Sequence, residues 1–247
     1  MACVALATYA QNLTGFAFGL ILLGLTASLH IAPVADAANA AMVLTLVNAW
    51  TYFRASREPP PWQLMRPTLG ASLVGVAIGV ALLGWLGGNA IAWLRALLGL
   101  SILGCAALLL LQGKPLTRLS GRLSFSVVGL LSGLLGGLFA SSGPPLVYHL
   151  YRQPLPRELV RHGLLLVFAF NAAVRLALVL PTGQFSLHSL VLATCAIPVV
   201  YAATRLHHRH PVTLRPGLLK ALVAGLLCAS GGTLLVTAWR AIVAGTA

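Results

Sequence analysis

Apolar residues in this chain come in long runs, and the polar residues gather in the gaps between them. A helix needs about 20 apolar residues to cross the hydrocarbon core of a bilayer. That length marks eight runs, at 12–34, 37–53, 67–88, 90–111, 123–150, 161–180, 186–204 and 217–239. The breaks carry turn chemistry: REPPPW at 57–62, GWLGGN at 84–89, GKPL at 113–116, PTGQ at 181–184 and RHP at 209–211. No gap is long enough to house a soluble domain. The pattern predicts an all-α, polytopic integral membrane protein of about eight hydrophobic segments.

Charge turns this list into a topology, because short loops rich in Lys and Arg stay cytoplasmic. The gap after the second run holds Arg54, Arg57 and Arg66, and that after the fourth holds Lys114, Arg118 and Arg122. Arg152, Arg157 and Arg161 follow the fifth, and Arg205, Arg209 and Arg215 follow the seventh. The gaps after the third and sixth runs have none, apart from Arg95 a little inside the fourth run. If all eight runs crossed, the equally basic gaps after four and five would lie on opposite sides. The conflict disappears if the fifth run enters and leaves on one side. Its roughly 28 residues make two arms of about 14, each too short to cross, with ASSGPP (140–145) between them. Non-helical backbone at membrane depth must face protein or a watery cavity, so this break is expected inside the protein.

A faint repeat agrees with the charge count. LTGFAFGL at 13–20 leads to VLTLVNAW at 43–50, and LLSGLLGGLF at 130–139 leads to LVFAFNAAVR at 166–175. Each half places one asparagine, Asn48 or Asn171, near the middle of its next run. One broken or re-entrant segment followed by three spans in each half makes two inverted repeats, a recurring transporter architecture. The expected division is a first repeat over 1–112, a cytoplasmic connection over 113–122 and a second repeat over 123–247. The first run is a further candidate for a broken or re-entrant segment.

Composition narrows the function. Of 247 residues, 59% are hydrophobic and 8% charged, with a mean hydropathy of +0.93, where soluble domains carry about a quarter charged residues. Nothing in Met1–Ile31, which lacks Lys and Arg, looks like a removable leader. The net charge of +13 sits in the short gaps, so it records topology and contact with anionic lipid rather than nucleic acid. Three acids, Asp36, Glu58 and Glu158, give a carboxylate proton relay almost nothing to work with. Asp36 reads as a cap on the second run. The four cysteines stand in separate segments without metal or disulfide spacing. No Walker loop, catalytic triad, H-E-x-x-H or Rossmann fingerprint has a usable context, so no enzyme, metal or organic cofactor is expected.

The remaining chemistry gathers at the break. Gly136, Gly137 and Gly143 permit close backbone approach, and Pro144 and Pro145 stop the helix. Freed amides near Ser141 and Ser142, with two hydroxyls, suit an anion-binding concavity; the structural alternative is a kink with small residues for helix packing. Asn171 and Arg175, four apart, share a helix face. Arg175 lies some fourteen residues into its run, where a charge is expensive and usually functional, and an unpaired guanidinium implies a bound anion. Snorkelling to the interface is the competing account. His149 and His30, near the broken segments, suit proton exchange near neutral pH or plain helix ends. His207, His208 and His210 read as part of a cytoplasmic loop.

With LTGFAFGL near the start, GLLSGLLGGLFASSGPPLVYHLYRQ at 129–153 and FNAAVR beyond it, the chain resembles the sulfite exporter TauE/SafE family of membrane transporters. The resemblance implies a two-halved inner-membrane carrier that moves sulfur-containing anions such as sulfite or sulfoacetate, generally outward, with the Gly, Ser and Pro positions of 136–145 as the substrate region. This chain has ILLGL where the family often places a proline after the first motif, which would soften a first-half break through Gly24. The expected substrate residues are Gly137, Ser141, Ser142, Gly143, Pro144, Asn171, Arg175, His149 and Asn48. The expected partners are a small anion and the lipid bilayer, with a homodimer compatible; the competing function is a non-transporting membrane assembly or accessory protein.

Overall fold

A computed structural model describes the chain apart from residues 15, 17, 29–32, 57–58, 88–90, 111–115, 141, 184, 210–215 and 244–247. Among the described residues there are ten helices: α1 Ala2–Thr14, α2 Phe18–Ser28, α3 Val34–Ala55, α4 Trp62–Gly87 and α5 Ile91–Leu110, then α6 Arg122–Phe139, α7 Gly143–Arg152, α8 Arg157–Val179, α9 Leu187–Arg209 and α10 Pro216–Val243. Proline fits a helix start, where its fixed φ is already helical and its missing N–H is not needed. Pro33 and Pro156 precede α3 and α8, and prolines lie in the first turn of α7.

The first and fifth apolar runs each hold two helices. In the fifth, the break falls after Phe139, so the arms are 18 and 10 residues rather than two of about 14. In the first, α1 starts at Ala2, well before the run that hydropathy marks at 12. Thr8, Gln11 and Asn12 lower the local hydropathy, yet all three are buried against protein. The interruption lies between Thr14 and Phe18, and Gly24 is inside α2.

Hydrogen bonds between helix ends and loops define two poles. At one, Arg161 approaches the Tyr52 hydroxyl at 3.4 Å, the Leu116 N–H donates to the Arg152 carbonyl at 2.7 Å, and Ser120 is tied to Gln153 through a 2.9 Å bond from its N–H and a 3.0 Å bond to its Oγ. The described parts of the basic loops at 113–122 and 152–161 therefore lie at the same pole. At the other, neutral pole, Asp36 at the start of α3 accepts hydrogen bonds from Ser186 and Ser189 at the start of α9, at 2.5 and 2.9 Å. Hence α3 runs from the neutral to the basic pole and α8 runs the opposite way.

The two broken segments travel differently. On α6 and α4, Gly129 faces Thr68, Gly133 faces Ser72 and Gly137 faces Val76, so these helices run parallel, and α7 brings the chain back to the basic pole. On α1 and α9, Tyr9 meets His207 edge-on and Asn12 bonds Thr204 at 3.1 Å; the numbers run in opposite directions, so α1 starts toward the basic pole. Leu23 of α2 packs with Ala37 and Ala38, next to Asp36. The α1/α2 segment thus passes from pole to pole, whereas α6/α7 turns back.

The outside of the bundle is made for lipid. By length and composition, four helices among the described residues, α4, α6, α8 and α9, are able to cross a membrane. All five tryptophans, Trp50, Trp62, Trp85, Trp93 and Trp239, are more than half exposed and sit near helix ends, as interfacial aromatic belts do. Inside, α4 and α6 approach so closely that a Cβ on Gly75, Gly79, Gly129 or Gly133 would collide with backbone across the contact. Small residues serve the same purpose in membrane helix pairs generally. The α3 and α8 helices pack against each other, each carrying its asparagine.

Candidate functional site

The α6 helix ends because Ala140 takes the left-handed conformation, with φ of 53°, and its N–H closes on the Gly136 carbonyl at 2.9 Å. Ser142 then occupies the N-cap position of α7, its side chain making no capping bond. Three contacts hold this serine in place. Ser132 Oγ donates to the Ser142 carbonyl at 2.7 Å, Asn171 Nδ2 donates to Ser142 Oγ at 2.8 Å, and Gly136 leaves the space that Ser142 Oγ occupies, since a Cβ there would strike it. Because Ser142 Oγ accepts from Asn171, its own proton is free to donate elsewhere. Of the first four residues of α7, Gly143, Pro144, Pro145 and Leu146, the two prolines have no N–H. Amide donation at this helix start rests on Gly143 and Leu146.

A cavity of about 30 Å³ opens beside this cap. A water needs about 10–15 Å³ by the same measure, so the space suits a ligand of a few heavy atoms. Gly136, Ala140, Ser142, Gly143 and Asn171 form one wall. Gln11 of α1, Gly19 of α2 and Thr45 of α3 face them from the first half, and Phe18, Met42 and Phe168 supply apolar surface.

Arg175 stands one layer behind the wall. It is 2% exposed, its guanidinium reaches the Gly136 carbonyl at 3.4 Å, and its Nε has no hydrogen-bond partner among the described residues. No carboxylate there pairs with it. Arg175 does not reach an interface, so snorkelling does not explain it.

The other expected residues divide clearly. Ser142, Gly143 and Asn171 line the cavity together. Gly137 faces away, its Cα side pressed on Val76, where a Cβ would lie 2.5 Å from the carbonyl oxygen; its position is a helix-packing one. Pro144 lies in the first turn of α7. Ser141 and His30 lie outside the described residues. His149 is at the far end of α7, edge-on to Phe125 at 4.8 Å between ring centroids and 3.3 Å from Gln153, in the anchor of the basic pole rather than the cavity.

Asn48 belongs to a second polar cluster that the sequence did not reveal as a unit. Its Nδ2 donates to Gln11 Oε1 at 2.7 Å, Thr204 Oγ1 donates to its Oδ1 at 2.6 Å, and Asn12 Nδ2 donates to Thr204 at 3.1 Å. All four side chains are at most 1% exposed. The adjacent amides in AQNL were the available signal, but the hydropathy ruler left Gln11 outside the first run. Asp36 also differs from expectation: it binds Ser186, Ser189 and His188 across the bundle, the last at 3.0 Å. The Ser186 hydrogen bond, followed by those of His188 and Ser189, holds its carboxyl below the usual value.

An apolar helical bundle that encloses a small polar cavity beside interrupted helices has the architecture of a membrane transporter. The family described as "Sulfite exporter TauE/SafE" matches residues 1–234, and the chain belongs to that family. It is 35% identical over 235 residues to the protein described as "Probable sulfite/organosulfonate exporter TauE" of Cupriavidus necator, covering 94% of this chain and 92% of that one. It is 29% identical over 175 residues to "Probable inner membrane transporter protein TsaS" of Comamonas testosteroni, covering 70% and 73%. No solved structure matches the chain.

Proposed function

We propose that this multi-pass protein of the inner membrane exports a small sulfur oxyanion, sulfite or a short organosulfonate, through the cavity at the α6/α7 break. The observation that carries the proposal is Arg175: a buried guanidinium without a carboxylate partner among the described residues, directly behind a wall of hydroxyl and amide groups. An oxyanion supplies the missing acceptor, and guanidinium is suited to it. The name of the Cupriavidus necator relative favours sulfur anions, and the cavity volume favours the smaller ones.

The cycle is alternating access. The stretches 1–112 and 123–247, joined through the 113–122 connection, act as inverted repeats; the opposite directions of their helices α3 and α8 support this. The anion enters from the basic, cytoplasmic pole, is held by Ser142, Gly143 and Arg175, and leaves at the neutral pole as the units rock. The inside-negative potential can drive export at about 2.3 kcal/mol per charge per 100 mV. A non-transporting assembly protein would have no use for an unpaired buried charge.

Flux into proteoliposomes across a panel of sulfite, sulfoacetate, thiosulfate and carboxylates tests the proposal. Sulfur oxyanions should move and Arg175→Gln should stop them; a variant as active as the parent puts the anion site elsewhere. Cysteines at Ser120 and Gln153 should crosslink and be labelled from the cytoplasm only, and labelling from opposite sides would refute the shared pole.

A further inference from the structure

Gln11 projects from α1 into the cavity, opposite the Ser142 wall, and the cluster behind it determines which end of its amide the cavity meets. Asn12 Nδ2 donates to Thr204 Oγ1, Thr204 donates to Asn48 Oδ1, and Asn48 Nδ2 donates to Gln11 Oε1. A hydroxyl has one proton, so the direction of this chain is set at Thr204. With Oε1 taken by Asn48, Gln11 turns its NH2 toward the cavity, where no described group accepts from it. Reversing every bond would turn Gln11 Oε1 to the cavity and leave the two N–H donors of Asn12 unpaired in the core. The observed direction leaves the acceptor Asn12 Oδ1 without a partner but engages an N–H of Asn12 with Thr204, and unpaired buried donors are the rarer fault.

We propose that Gln11 is a substrate-binding residue: its NH2 donates to the oxyanion from the first half, while Ser142 and Arg175 hold it from the second. Asn48, Thr204 and Asn12 are positioning residues that keep this amide turned outward, and Asn48 does not itself touch the anion. The proposal rests on the anion site proposed above and adds its other side. A ligand gripped from both halves feels their relative movement, which a site built wholly on α6–α8 would not. The neutral amide also fits the chemistry: donors on both sides and a single fixed positive charge suit a small oxyanion, whereas a carboxylate facing Ser142 would repel it.

Sulfite uptake into proteoliposomes, measured for the full-length protein, tests this with Gln11→Met, which keeps shape and removes the donor. A hydrogen bond to a charged group contributes enough that its loss should raise the sulfite KM about tenfold, with the maximal rate little changed. Asn48→Leu should raise KM similarly, and the double variant Gln11→Met/Asn48→Leu should be no worse than the poorer single one, because both remove one donor. A melting curve checks that each variant is folded; should Asn48→Leu be unstable, Thr204→Val replaces it, with the same expected KM. An unchanged KM in Gln11→Met, or additive losses in the double variant, overturns the proposal. If Arg175→Gln is fully active while Gln11→Met is impaired, the Arg175 side of the site fails and the Gln11 side stands.

Discussion

The two broken segments of this protein solve one problem in opposite ways. The α6/α7 break reverses the chain: Ala140 turns left-handed, two prolines bar a continuing helix, and α7 returns to the pole from which α6 came. The α1/α2 interruption carries no proline and lets the chain pass through. Their polar surroundings differ as well. The reversing break is backed by a charge, Arg175, while the passing one is backed by neutral amides, Gln11, Asn12 and Asn48. A reversed chain exposes helix-end donors that attract an anion, and the opposite wall then needs only correctly aimed neutral donors.

The largest test of this division is Arg175. Removing a buried, charge-bearing donor should cost about 3 kcal/mol of anion binding, a loss on the order of a hundredfold in sulfite flux, while Gln11→Met loses about tenfold. Equal effects would erase the distinction between the charged and neutral sides.

Next come two adjacent glycines with opposite duties. Gly137→Val forces side-chain atoms into the Val76 backbone of α4 and should destabilise the protein by about 3 kcal/mol, seen as a lower melting temperature in detergent. Gly136→Ala meets Ser142 Oγ instead. It should melt close to the parent yet lose about tenfold in flux by displacing the serine from Asn171, a hydrogen-bond-sized effect. If Gly136→Ala melts as low as Gly137→Val, the break is packing rather than site.

The smallest effect belongs to Asp36, just outside the apolar run 37–53. Its folded carboxyl is held low by Ser186, His188 and Ser189, so its contribution is present above the ordinary value of 3.8 and is lost as pH falls through the lower folded value. Melting temperature measured from neutral pH downward should fall more for the parent than for Asp36→Asn, and the two curves should converge at the acid end. Parallel curves would show that the clamp between α3 and α9 contributes nothing.

Much of this organisation was legible in the chain. A 20-residue ruler finds helices because hydrocarbon thickness fixes their length, and the basic gaps find the shared pole because translocating guanidinium is costly. ASSGPP announced its break because proline and glycine act locally on backbone dihedrals. Asn171 and Arg175 were found by helical spacing, and Arg175 by its depth. Gly136 and Gly137 were both noted at the break but only Gly137 was named as a substrate residue, since a helix turns about 100° per residue and sequence does not say which of two glycines faces inward. The start of α1 was missed because hydropathy scores Thr8, Gln11 and Asn12 as if lipid surrounded them.

By itself, then, the sequence determined what depends on composition and on neighbours along the chain: a helical membrane protein, its basic face, the α6/α7 reversal and a buried cation within reach of it. Only the tertiary structure decided what depends on partners far apart in number. It brought Thr204 to Asn48 and Asn48 to Gln11 across 156 and 37 residues, joined Ser142 to Asn171, and sent α1/α2 through the bundle rather than back. Hydrogen bonds in a low-dielectric interior are directional and must be closed, so the partners that close them, not the residues' own identities, settle which amide faces the ligand.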